Sequence, residues 1–70
     1  MSDLNLIQTV TLDKYIVKLY AINAPSALSV AQNNMESLEA DLNNQTYAKE
    51  IVDILEQFDE FTKIEIYDKN

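Results

Sequence analysis

The sequence predicts an α+β fold: a three-stranded antiparallel sheet with an antiparallel helix hairpin on one face, in the order β-β-α-α-β. Three observations carry the prediction. Both ends of the 70-residue chain show apolar residues alternating with polar ones, and the middle shows apolar residues at spacings of three and four. The one proline, Pro25, marks the first change of period. A chain this short holds one core at most, so residues 1–70 read as a single domain.

Leu4 to Ile22 reads as two strands, with one continuous bent strand as the competing reading. In the first, residues 4–12, the residues Leu4, Leu6, Val10 and Leu12 form an apolar face that Gln8 interrupts. The second, Tyr15 to Ile22, is rich in β-branched and aromatic residues. Asp13 and Lys14 form the turn between them, and the lack of glycine points to a longer type I connection than a two-residue hairpin.

The boundary follows at Asn23 to Ser26, where Asn or Ser can cap a helix and Pro25 is tolerated in the first turn. Beyond it Leu28, Ala31, Met35, Leu38 and Leu42 recur at helical spacing, an apolar stripe on a helix of roughly 16 residues. Asn43 to Thr46 break the pattern and offer new caps. The second helix carries Tyr47, Ile51, Ile54, Leu55 and Phe58 on one side, with Lys49, Asp53, Glu56 and Glu60 opposite. Lys63 to Tyr67 alternates as a last strand with Ile64 and Ile66 facing in. The short link makes the two helices an antiparallel hairpin, which returns the chain for a third strand antiparallel to the second.

Charge is distributed unevenly. From Glu36 to Glu60 the chain holds eight carboxylates and one lysine, Lys49, so this stretch carries the entire net charge of −7. The rest is balanced. Such a field source speaks to partners, not to fold. It also repels nucleic acid and anionic lipid, so neither is an expected direct partner. The opening Met1, Ser2 and Asp3 show no basic leader and no apolar run approaches a membrane span, which makes a soluble cytoplasmic protein the expectation.

With no His, Cys, Trp, Arg or Gly, the chain lacks an imidazole, a thiolate, a guanidinium clamp and a glycine loop for phosphate. No catalytic residue, cofactor or metal site is therefore expected. Asp41, Asn43 and Gln45 resemble the start of a calcium loop, but Thr46 stands where glycine is needed and Val52 where a bidentate glutamate belongs.

Two binding surfaces remain. Asp53, Glu56 and Glu60, spaced by three and four, place like charges roughly 5–6 Å apart on one helix face. Together with Glu36, Glu39 and Asp59 they form a candidate surface for a basic nucleic-acid-binding protein, carboxylates standing in for phosphates. In size, acidity and lack of catalytic residue types the chain is similar to phage-encoded inhibitors of host defence, anti-CRISPR proteins and other DNA mimics among them. That likeness is one of composition, without a family motif, and it implies a non-enzymatic inhibitor or modulator. The alternative is an assembly module, a homodimer or complex subunit joined through Ile16, Tyr20, Ile22 and Tyr67 on the outer sheet face, with Ile7 as a neighbour.

Overall fold

A computed structural model of the chain describes residues 3–69. Met1 and Ser2, on which the expectation of no leader partly rests, lie outside the described residues. The elements follow the expected order: β1 (Asn5–Thr11), β2 (Tyr15–Ala21), α1 (Ala24–Asn43), α2 (Ala48–Leu55) and β3 (Lys63–Asp68). The strands form one antiparallel sheet in the order β1-β2-β3, so β2 is central and β1 and β3 are its two edges. The competing single bent strand is not formed.

Alternation in β2 sends Val17, Leu19 and Ala21 to the helix side, where all three are fully buried. There they meet Ala27, Ala31, Met35 and Leu42 of α1, Ile51 and Leu55 of α2, and Phe61, in one cluster that Ile64 and Ile66 of β3 complete. Burying side chains such as Leu19, Leu42, Ile51 and Leu55 contributes about 1.5–3 kcal/mol each. Helix α1 lies over β1 and α2 against β3. The Tyr15 hydroxyl donates to the Thr46 carbonyl at one end of β2, and the Thr62 N–H donates to the Tyr20 carbonyl at the other. The two helices therefore run in opposite directions over the sheet, as expected.

β1 departs from simple alternation. Leu6 pairs with Tyr20 and Gln8 with Leu19, which leaves Ile7 as the extra residue of a β-bulge. The bulge reverses the faces on either side of it. Val10 and Leu12 point into the core, whereas Leu6 shares the outer face with Tyr20 and is 52% exposed. Ile7, expected on the outer face, packs against the core instead. The turn also differs from expectation. Leu12 N–H donates to the Tyr15 carbonyl at 2.8 Å, so only Asp13 and Lys14 stand at the tip. No described residue has positive φ, which rules out the glycine-favouring primed turns. External bonds hold the tip: Asp13 N–H donates to Asn43 Oδ1 at 2.8 Å, and Lys69 Nζ to the Leu12 carbonyl at 3.4 Å.

The helices follow their capping chemistry at one end each. Asn23 caps α1 by accepting from Ser26 N–H at 3.4 Å, with Pro25 in the first turn. The helix is 20 residues long, and Leu28, in its first turns, is exposed where the stripe was expected to be buried. Helix α2 stops at Leu55, short of the expected Glu60. There Gln57 N–H turns back to Ile54 and Phe58 N–H to Leu55, three residues behind, which tightens and closes the helix. Phe58 and Phe61 then stack edge to face, centroids 5.8 Å apart, and pin the turn into β3. Tyr47, expected in the core, is 67% exposed. It sits at the N-cap of α2 in extended conformation, outside the helical periodicity that would have turned it inward.

Candidate functional site

The acidic stretch forms the helical layer and the turn after it. Glu36, Glu39, Asp53, Glu56 and Asp59 are exposed and Glu60 is half-buried. They do not make one row. Glu36 and Glu39 rim a groove between α1 and the β1 edge, whereas Glu56 and Asp59 line a second groove beside the start of β3. Because β1 and β3 are opposite edges of the sheet, the acids divide into two flanks. Asp53 and Glu56 keep their one-turn spacing, but Asp59 and Glu60 lie past the end of α2 and do not extend its face. Among the described residues no three carboxylates converge closely enough to hold a metal ion.

Among the described residues these charges lack ion pairs, and only Glu50, in the first turn of α2, stands at the helix end that favours an acid. Among the described residues the ion pair found is Lys63 with Glu65, on the sheet, and none links Lys49 to a carboxylate of the helical layer. Neither helix has a basic residue in its last turn. Asp41 lies in the last turn of α1, and Glu56 is the C-cap of α2. Acids at the negative pole of a helix each cost about 0.3–1 kcal/mol where a lysine would stabilise.

The opposite face of the sheet is uncovered. Cross-strand pairing sets Leu6 beside Tyr20 and Lys63, Thr9 beside Lys18 and Glu65, and Thr11 beside Ile16 and Tyr67. Ile16 and Tyr20 are half-buried, while Ile22 and Tyr67 are about half exposed, at 49% and 47%. Register puts Ile16, Tyr20 and Tyr67 on one face, whereas Ile22 lies past the end of β2. Glu65 is the centre of this face. It accepts from the Tyr67 hydroxyl at 2.8 Å and the Tyr20 hydroxyl at 2.9 Å, and pairs with Lys63 Nζ at 3.2 Å. These donors, Tyr67 first, hold its carboxyl down at about 2 against an ordinary 4.5, while desolvation acts weakly the other way. The same hydrogen bonds raise both phenols above their ordinary value of 10. Lys18 lies 5.5 Å from the Tyr67 ring centre and Lys63 5.9 Å from that of Tyr20, both within cation–π range. The shared parity of residues 63, 65 and 67 was the signal available in the sequence.

Among the described residues no helix is long and apolar enough to cross a membrane. No family model matches the chain, and no curated protein or solved structure matches it at a significant level.

Proposed function

We propose that this chain is a small non-enzymatic binding protein whose helical layer engages, and thereby inhibits or modulates, a basic protein that handles nucleic acid. One observation carries the reading: exposed carboxylates without ion-pair partners occupy positions, the helix C-termini above all, where they lower the stability of their own fold. Charge that is costly to the fold and left unneutralised acts outward. It steers a Lys/Arg-lined surface into contact and competes there with phosphate. Reversing Asp53, Glu56 and Glu60 to lysine abolishes capture of such a partner while the circular dichroism spectrum is retained. Capture that is unchanged in this variant, or insensitive to salt, contradicts the reading.

A second reading is favoured by the uncovered sheet face, where Leu6 and Tyr67 stand about half exposed, with Ile22 exposed just past the end of β2. An assembly module would use that face and associate by apolar burial, so its complex survives high salt. Sedimentation of the chain at high salt, with Tyr20 and Ile22 changed to serine, separates the two. A salt-resistant oligomer that those changes dissolve supports assembly, and a monomer throughout removes it.

A further inference from the structure

The groove along β1 has the parts of a strand-addition site. We infer that it binds an extended, Lys/Arg-bearing segment of a partner protein as a fourth strand on the β1 edge. The inference rests on the acidic-surface reading above and adds a contact on the β1 flank to the one that Asp53, Glu56 and Glu60 make elsewhere on that surface.

The backbone supplies the first half of the recognition. β1 is an edge strand paired only with β2. Leu12 N–H points across to Tyr15, so the alternation of an antiparallel ladder turns the backbones of Leu12 and Val10 toward β2 and those of Thr9 and Thr11 away from it. Among the described residues no group outside the sheet engages the Thr9 or Thr11 backbone. The Ile7 bulge ends this regular edge on one side and the hairpin ends it on the other. Gln8 to Thr11 remain, a template of roughly 13 Å.

Side chains supply the second half. The groove, of about 390 Å³, runs between Gln8 to Thr11 and the α1 face made by Ala31, Gln32, Met35, Glu36 and Glu39. Its floor is apolar, from Val10, Ala31 and Met35, and its outer rim is Glu36 and Glu39. Those two carboxylates are one helical turn apart, roughly 5–6 Å. Alternate side chains of an added strand are spaced by about 6.6 Å, so two successive helix-facing residues can reach both carboxylates. Lysine or arginine suits that place, with its methylene stem along Met35 and its charge at the rim. Main-chain bonds then give affinity and the alternate side chains give selectivity, as in other strand-addition sites. The groove at β3 is a weaker candidate. Only Lys63 and Ile64 of that strand line it, and Lys63 repels a basic ligand.

The test uses the isotope-labelled full chain and a capped eight-residue peptide that alternates lysine and threonine, at low salt. Two further peptides of equal charge are N-methylated at every other residue, one in each phase, so that one of the two cannot complete the edge bonds. Expected results are slowed hydrogen exchange at the Thr9 and Thr11 amides, and about tenfold weaker binding of one N-methylated phase. Glu36→Gln with Glu39→Gln also weakens binding about tenfold, while Glu50→Gln with Asp68→Asn, an equal change of charge at exposed positions away from the groove, leaves it unchanged. The inference is overturned if the plain peptide does not bind, if both N-methylated peptides bind as well as it does, or if the perturbed amides lie around Asp53 and Glu56. Any of these results, together with loss of partner capture by the triple lysine variant, removes the groove and leaves the acidic-surface reading standing. If that variant also keeps its partner, both fall.

Discussion

Glu65 is the residue with the most distinctive chemistry in this chain. Two phenol donors and Lys63 hold its carboxyl at about 2, against 4.5 for an ordinary glutamate. As pH falls, the unfolded chain takes up this proton before the folded one does. The stabilisation is therefore whole above pH 4.5 and is lost between there and about 2. Glu65→Gln should flatten the fall in urea midpoint across that window relative to the parent chain. Tyr67→Phe removes the foremost of the three donors, and the Glu65 carboxyl, followed by its carbon NMR shift, should then titrate nearer 4.5. At alkaline pH the sign is opposite. Both phenols are raised above 10, so the unfolded chain ionises first and stability falls as pH climbs past that value. None of this was visible from residue types. The parity of Lys63, Glu65 and Tyr67 is read directly, but that Tyr20 arrives beside them depends on the register of β2 against β3.

At the level of elements, periodicity identified every strand and helix and failed at their ends. Helix α2 stops at Leu55 without a glycine or proline to mark the place, because the stop is made by backbone bonds three residues back and by the packing of Phe58 on Phe61. The β1 bulge likewise has no glycine, and it sent Leu6 outward and Ile7 inward against the alternation. Core positions in these elements are sensitive ones. Leu55→Ala should cost about 2–5 kcal/mol. A core of this size supplies only about 3–5 kcal/mol, so that variant should lose most of its stability, read by circular dichroism as a large fall in urea midpoint. Leu28→Ala, at an exposed position, should stay within about 0.5 kcal/mol of the parent. Helix ends carry the complementary prediction. Asp41→Lys and Glu56→Lys should each raise stability in urea by about 0.6–2 kcal/mol, the acid's cost removed and the lysine's gain added, and Glu56→Lys should weaken partner binding at the same time. A gain in stability with undiminished binding would assign Glu56 to the solvated surface alone.

The molecule as a whole is electrically two-sided. Its helical layer and following turn carry the net charge of −7, and its outer sheet face holds Lys18, Lys63 and Glu65. Since no ion pair among the described residues ties the helical carboxylates, added salt has repulsion to screen there and few attractions to weaken. The thermal midpoint should therefore rise from low to moderate salt, measured by calorimetry, while electrostatic partner binding weakens over the same range. A falling midpoint would mean that the carboxylates are held by attractions within the fold.

The sequence by itself determined the order of the elements, the inward face of β3, and the concentration of charge from Glu36 to Glu60. All three follow from local periodicity and composition, which need no knowledge of what lies across the core. Tertiary structure alone decided that the acids separate onto two flanks, that Tyr47 and Leu28 stay outside, and that Glu65 gathers two tyrosines. It also decided that Glu36 and Glu39 stand over an open strand edge. Each of these depends on which residues of distant segments come opposite one another. That was set by a bulge, a tightened helix end and a register that no local pattern encodes.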